Sequence, residues 1–135
     1  MNDEQRVVKE LVDTGKWSSD HALVAVRAKF QCEYCGLDLI KDAQHYKLWQ
    51  LDHIVPKKLM VQDGMDPDDL NNLAIACKPC NFDFKWRFDP RTVAGLNADR
   101  TELIKAAKAE IQRRKQTCDA ELARVREIAG LGTAE

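Results

Sequence analysis

The sequence contains two Cys-x-x-Cys pairs, Cys32/Cys35 and Cys77/Cys80, which constrain the fold more than any other feature. Two thiolates three positions apart in a tight turn can bind one tetrahedral ion, at about 2.3 Å per Zn–S bond. Together the two pairs predict a single Zn²⁺ site with four sulfur ligands. Such a site has no open position for a substrate, so we expect the zinc to be structural.

Two disulfides, a redox-active pair or a chance arrangement would explain the same cysteines in other ways. The chain has five cysteines, and an odd number fits a disulfide framework poorly and a reducing compartment better. A redox Cys-x-x-Cys is expected once, inside a thioredoxin-like pattern that the sequence does not show. We expect the fifth cysteine, Cys118, to be a small buried apolar residue.

Composition excludes several classes of protein. The chain has 135 residues, of which 44% are hydrophobic and 32% are charged, as in one ordinary globular domain. Its net charge of −1 argues against a generally basic nucleic-acid binder. No apolar run is long enough to span a bilayer, and the first ten residues are polar. We therefore expect no membrane partner and a cytoplasmic location.

The 41 residues between the two pairs exceed the usual zinc-ribbon gap of about 15–20 residues, so further structure must lie between them. A β-prone segment ends at Pro56, a polar stretch from Lys57 to Asn71 predicts a loop, and a short apolar strand follows. Helical periodicity occupies both ends of the chain. The predicted elements are helices over 4–13 and 18–30, strands over 46–54 and 73–76, a short helix over 81–88 and a helix of roughly 46 Å over 99–129.

Four polar residues stand at the ends of the nested elements. Asp52 and His53 end the first strand, Asn72 precedes the second, and Asn81 directly follows the last cysteine. Each Cys-x-x-Cys turn forms a zinc knuckle. If the second knuckle, Cys77/Cys80, holds the two strands to the short helix, these four residues converge. A carboxylate and an amide oxygen are ligands for a hard divalent cation, and an imidazole beside them suits a general base. The alternatives are a structural Asp–His pair and an asparagine that only caps the helix.

The order of these motifs resembles that of the HNH endonucleases with a ββα-metal core. The resemblance covers about residues 30–88 and rests on four segments: Cys-x₂-Cys, Asp52-His53-Ile54-Val55-Pro56, Asp69-Leu70-Asn71-Asn72-Leu73 and Cys77-x₂-Cys80-Asn81. It implies an α+β fold, a small mainly helical domain around the ββα core with a structural zinc and a long C-terminal helix. We expect N-terminal helices over 1–30, the zinc-anchored core over 31–90, and a long helix for docking or oligomerisation over 91–135.

The resemblance also implies a reaction. His53 would activate water, Asp52 and Asn81 would bind Mg²⁺ or Mn²⁺, and Asn72 would hold the hairpin loop and position the base. Asn71 competes for the position given to Asn72. The expected activity is hydrolysis of phosphodiester bonds in DNA, either by nicking one strand or by cutting both. We expect the DNA to be double-stranded. The alternative is a catalytically silent, zinc-stabilised module that binds nucleic acid or protein.

One position departs from the family pattern. Many members have a lysine three residues after the third motif position, where this chain has Phe84, and Lys85 comes fourth. With Arg87 and Arg91, Lys85 forms the one compact basic cluster before residue 99, which predicts contacts to DNA phosphates.

Several other features lead to expectations of their own. We expect Trp17, Trp49 and Trp86 to pack in the core rather than stack on bases, and the acidic run from Asp63 to Asp69 to lie away from the duplex. Residues 99–129 predict self-association or a protein partner. Small stand-alone HNH proteins that resemble this chain occur in bacteria and phages, where some act in genome packaging.

Overall fold

The computed structural model of the protein describes residues 1–132, and the last three residues of the predicted segment 91–135 lie outside them. The architecture is α+β and mainly helical, as predicted. A 3₁₀ turn at Leu70–Asn72 directly precedes the second strand, and a π-helix at Pro79–Phe84 follows that strand. In chain order the remaining elements are α1 Asp3–Asp13, α2 Ser19–Arg27, α3 Ala43–Tyr46, β1 Trp49–His53, α4 Lys57–Gln62, β2 Leu73–Cys77, α5 Arg91–Ala94 and α6 Arg100–Ile128.

The two N-terminal helices begin at side-chain caps. The Asn2 side chain accepts a hydrogen bond from Gln5 N, and the Ser18 hydroxyl accepts one from His21 N. The prediction that the second helix continues to Phe30 is wrong, because α2 ends at Arg27. Lys29 and Phe30 have φ of 55° and 59°, a left-handed conformation that turns the chain into the first cysteine pair.

Strands β1 and β2 form an antiparallel pair in which Trp49 faces Cys77 and His53 faces Leu73. All five residues of β2 are buried. Within residues 1–132 no third strand lies beside this one, and side chains and loops satisfy its outer edge. Ile75 N donates to the Glu33 carboxylate at 2.9 Å, and Glu33 N donates to Ile75 O at 3.0 Å, so the first cysteine knuckle is fixed to β2.

The segment between the strands is more ordered than predicted. Instead of one loop from Lys57 to Asn71, it contains α4 and the 3₁₀ turn. Pro56 precedes α4 with φ −50°, a value suited to helix initiation. Met60, on the inner face of that helix, is buried. Strand β1 also begins later than predicted, because Asp42 caps the short helix α3.

The long helix α6 packs on the core with its first half only. Asp99 caps it by accepting a hydrogen bond from Glu102 N at 2.9 Å, and Ala107 and Ile111 are buried. Beyond residue 115 the helix projects, and almost every residue is exposed. The expectation that Cys118 is buried is therefore wrong. Among the helices of residues 1–132, none combines the length and apolar character needed to cross a membrane.

Candidate active site and metal centre

The four paired cysteines converge on one point between the first knuckle and the end of β2. Their Sγ atoms all lie within 4.8 Å of one another, and those of Cys35 and Cys77 are 3.7 Å apart. A tetrahedral ion with Zn–S bonds of about 2.3 Å separates its ligand atoms by about 3.8 Å. The four thiols are free cysteines rather than disulfides. Their spacing and chemistry fit one metal ion, as the sequence predicts.

The thiols also share their protons unevenly. The pKa of Cys35 lies far below that of an isolated thiol, because its sulfur is hydrogen-bonded by Cys32 first and then by Cys77 and Cys80. The pKa of Cys80 is raised far above the ordinary value, first by its hydrogen bond to Cys32. Metal ligation requires the thiolate form, so four thiolates at this spacing need a cation among them.

The second candidate site is an open cavity of about 380 Å³ at the end of β1. Asp52, His53 and Asn81 all line it, so the structure brings together the three residues for which the sequence predicts metal binding and base catalysis. Asp52 and His53 come from the last two positions of β1, and Asn81 comes from the π-helix just after Cys80. The second cysteine knuckle therefore sets the position of Asn81 relative to the strand.

Asp52 is buried, with 6% of its surface exposed. Its Oδ2 atom accepts a hydrogen bond from the Tyr34 hydroxyl and lies 3.2 Å from Lys85 Nζ. Burial raises the pKa of the Asp52 carboxyl in spite of the lysine, and burial lowers the pKa of the Lys85 ammonium. Oδ1 receives no hydrogen bond from the described residues and keeps solvent access. One carboxylate oxygen thus remains free beside the cavity.

The Asn81 amide is oriented by Gln50. Asn81 Nδ2 donates to Gln50 Oε1 at 2.8 Å, so its own Oδ1 remains available as an acceptor. Gln50 and Asp52 are two residues apart on β1 and project from the same face of the strand. The free oxygens of Asp52 and Asn81 are the donors that a hard divalent cation prefers.

His53 contacts a residue of the acidic run. His53 Nε2 lies 2.8 Å from Asp68 Oδ1, and the side chain of His53 is 24% exposed. The hydrogen bond to His53 is the main reason that the pKa of Asp68 is lowered. One residue of the acidic run, Asp68, therefore reaches the candidate base.

Asn72 ties the two ends of the segment between the strands together. Its Oδ1 accepts from Val55 N at 2.9 Å, and its Nδ2 donates to Val55 O at 3.1 Å and to Pro67 O at 3.0 Å. The residue is buried, whereas its competitor Asn71 is exposed. The geometry at Asn72 is that of a loop-holding residue, and Asn71 makes no comparable contact within residues 1–132.

The predicted basic cluster does not form one surface. Lys85 is 4% exposed and faces Asp52 rather than solvent, so its expected phosphate contact is not available in this structure. Arg91 is held by the carboxylates of Asp89 and Asp63, which occupy its guanidinium. Of the three basic residues, Arg87 alone is exposed and lines the cavity.

Two of the tryptophans pack as expected, and one does not. Trp17 stacks on Trp49 with ring centroids 4.5 Å apart. Trp86 is 52% exposed, which makes the packing expectation wrong for this residue. Its ring lies 5.3 Å from that of Phe82 and 5.5 Å from the Arg87 guanidinium, and all three line the cavity.

Sequence reasoning missed Tyr34, Gln50 and Asp68. Tyr34 and Gln50 each contact a predicted metal ligand, and Asp68 contacts the predicted base. Tyr34 stands inside the first Cys-x-x-Cys pair, and Gln50 stands two residues before Asp52 on the same strand. Strand alternation could have indicated Gln50, but no spacing rule links Tyr34 or Asp68 to the site.

A comparison with protein families gives one match. Residues 32–83 match the family model described as HNH endonuclease. No curated protein and no solved structure gives a significant match to the chain. The matched range begins at the first cysteine, includes Asp52, His53, Asn72 and Asn81, and ends within the π-helix. Residues 32–83 of this chain are therefore similar to the HNH endonuclease family, in agreement with the resemblance that the motifs indicate.

Proposed function

We propose that this protein is a metal-dependent endonuclease that hydrolyses phosphodiester bonds of double-stranded DNA. The observation that carries the proposal is the shared cavity of Asp52, His53 and Asn81 beside the four-cysteine cluster. A carboxylate, an imidazole and an amide oxygen around one open space supply the groups that metal-assisted hydrolysis requires.

Asp52 Oδ1 and Asn81 Oδ1 are the ligands that we assign to Mg²⁺ or Mn²⁺. Two oxygen ligands leave most coordination positions for water and phosphate, as Mg²⁺ prefers. The bound ion would polarise the scissile phosphate and stabilise the departing oxygen. His53 would accept the proton of the attacking water, because an imidazole can take up a proton near neutral pH. Asn72 would hold the segment that follows the base.

The four cysteines would hold a structural Zn²⁺. Four thiolates fill the tetrahedral positions, so this ion would not touch the substrate. Its role would be to fix the first knuckle to the end of β2, and thereby to place Asn81 against β1. Arg87 and Trp86 extend from the same cavity, and we assign them to contacts with the nucleic-acid backbone and bases.

A supercoiled-plasmid assay tests the proposal. Zinc-loaded protein is incubated with EDTA, Mg²⁺ or Mn²⁺, beside His53→Ala and a matched control, His45→Ala. His45 is also paired with an aspartate, Asp42, but lies outside the cavity. We expect metal-dependent conversion to open-circle or linear DNA that His45→Ala retains and His53→Ala loses. Cleavage that persists in His53→Ala would refute the assigned base.

One observation favours the silent binding module instead. Lys85 places an ammonium 3.2 Å from Asp52, so a protein cation already neutralises the proposed metal ligand. If that arrangement excludes a divalent ion, the wild type shows no cleavage with either metal. DNA binding by wild type and His53→Ala would then be equal, and it would be measured by fluorescence anisotropy on a labelled duplex.

A further inference from the structure

We infer that Asp68 is a positioning residue for His53, which fixes the imidazole with its proton on Nε2 and leaves Nδ1 as the proton acceptor. The inference starts from the 2.8 Å contact between His53 Nε2 and Asp68 Oδ1. It deepens the proposed nuclease function and rests on it for its catalytic consequence. The tautomer itself is a property of the folded protein and is measurable without cleavage.

The chemistry of the pair determines which nitrogen carries the proton. A neutral imidazole has one N–H donor and one acceptor nitrogen, and an ionised carboxylate only accepts. At 2.8 Å from a carboxylate oxygen, Nε2 must therefore be the donor. The lone pair of Nδ1 is then available, as a general base requires.

The backbone holds both partners of this contact through Asn72. On one side, Ile54 N, directly after His53, donates to Asn72 O at 2.8 Å, and the Asn72 side chain binds both polar backbone atoms of Val55. On the other side, the same side chain donates to the carbonyl of Pro67, the residue before Asp68. Through its main-chain carbonyl and its side-chain amide, Asn72 thus fixes the two residues after the base and the residue before its carboxylate.

The acidic turn also fixes the direction of Asp68. Asp68 N donates to Asp66 Oδ1 at 2.9 Å, and Asp69 N donates to Asp66 O at 3.3 Å. Pro67, between the two, has a restricted φ. The 3₁₀ turn begins directly afterwards, because Asp69 accepts from Asn71 N. The carboxylates of Asp66 and Asp69 thus cap this turn, and Asp68 is the one that faces the histidine.

The protein contains an internal reference for this pair. His45 Nδ1 lies 2.6 Å from Asp42 Oδ1, so the second histidine–aspartate pair uses the opposite ring nitrogen. The same reasoning predicts opposite tautomers, with the proton on Nε2 in His53 and on Nδ1 in His45. Because the chain has three histidines, single substitutions suffice to assign their signals.

Long-range ¹H–¹⁵N correlation spectra of the zinc-loaded full chain test the inference, at a pH where the imidazoles are neutral. Variants His53→Ala and His45→Ala assign the signals. We expect the Nε2–H pattern for His53, its replacement by a mixture of tautomers in Asp68→Ala, and its retention in Asp68→Asn, which keeps an acceptor oxygen. Asp42→Ala is the matched control, and we expect it to change His45 alone.

Cleavage kinetics give the second readout. General bases contribute about 10²–10⁴-fold to rate, and we expect loss of orientation in Asp68→Ala to lower kcat by about 10-fold. KM should stay nearly constant, because the carboxylate does not bind substrate. Asp68→Asn should recover most of kcat, and Asp42→Ala should match the wild type.

The two readouts separate the two hypotheses. If the His53 pattern depends on Asp68 but no variant cleaves DNA, the positioning contact exists and the nuclease proposal fails. If His53 has the same pattern in Asp68→Ala as in the wild type, the positioning role is overturned whether or not DNA is cleaved. An active enzyme in which Asp68→Ala changes the tautomer and leaves kcat unchanged would overturn the catalytic part.

Discussion

Replacing Asn72 by alanine should destabilise the protein strongly, although the position lies in a three-residue turn. The wild-type side chain makes three hydrogen bonds of 2.9–3.1 Å, two to Val55 and one to Pro67. Val55 is 2% exposed, so its backbone N–H and C=O have no alternative partner in bulk water. The substitution would leave both of these buried groups unsatisfied.

The expected magnitude follows from those groups. A buried donor or acceptor left without a partner costs about 1–3 kcal/mol. Taking about 1.5 kcal/mol for each of the two groups, we expect the free energy of unfolding to fall by about 3 kcal/mol. Urea unfolding at a fixed excess of zinc, followed by tryptophan fluorescence, measures this loss. With a slope of about 2 kcal/mol per molar urea, the midpoint should fall by about 1.5 M.

Asn71→Ala is the matched control, because it removes the same chemical group from the adjacent position. Asn71 is exposed, and its side chain makes no hydrogen bond within residues 1–132. We expect a change within about 0.5 kcal/mol, as for ordinary surface substitutions. If Asn72→Ala falls within the same range, or if the two variants lose equal stability, the loop-holding role assigned to Asn72 is wrong.

Four further changes test other parts of the structure. Cys80→Ser, or removal of zinc by a chelator, should unfold the core as followed by circular dichroism, and an unchanged spectrum would contradict a structural metal. Lys85→Met should cost about 3–5 kcal/mol in urea unfolding by leaving Asp52 unpaired, and adding Asp52→Asn should restore most of it; a neutral single substitution would contradict the pair. Trp86→Ala should weaken binding to a labelled DNA duplex in fluorescence anisotropy, with Trp86→Phe closer to wild type; equal affinities of wild type and Trp86→Ala would exclude a contact between this ring and the DNA. If α6 mediates self-association, sedimentation should show a dimer of the 15.4 kDa chain that Leu122→Lys dissociates, and a monomeric wild type would exclude it.

Local rules predicted the features that depend on local chemistry. Helical periodicity predicted helices at both ends of the chain, and α1, α2 and α6 are present there, each beginning at a side-chain cap. Strand propensity identified the β1/β2 pair, although β1 begins three residues later than predicted. The metal cluster was predictable because tetrahedral thiolate sites impose a narrow Cys-x-x-Cys spacing.

Pairings between distant residues were beyond such rules. Four aspartates lie between residues 63 and 69, and nothing in the sequence distinguishes Asp68 from its neighbours. Asp68 differs because of the buried side-chain amide of Asn72, 4 residues further along. This amide binds Pro67 in the acidic turn and Val55 just after β1, and so holds the two segments together. The prediction that Cys118 is buried was wrong for a related reason. Its helical periodicity is genuine, but α6 is longer than the core and has left it by that position.

The π-helix at Pro79–Phe84 explains how a displaced lysine still reaches Asp52. The family pattern places lysine three residues after the position of Asn81, where this chain has Phe84. A π-helix bonds residue i to residue i+5, so it has more residues per turn than an α-helix. Lys85 directly follows the last residue of this helix, so the chain makes a wider turn between Asn81 and the lysine than an α-helix would. Lys85 lies 3.2 Å from the Asp52 carboxylate, whereas the sequence predicts that it contacts DNA phosphates. The ion pair therefore depends on where the π-helix ends, which the interval from Asn81 to Lys85 in the sequence does not indicate.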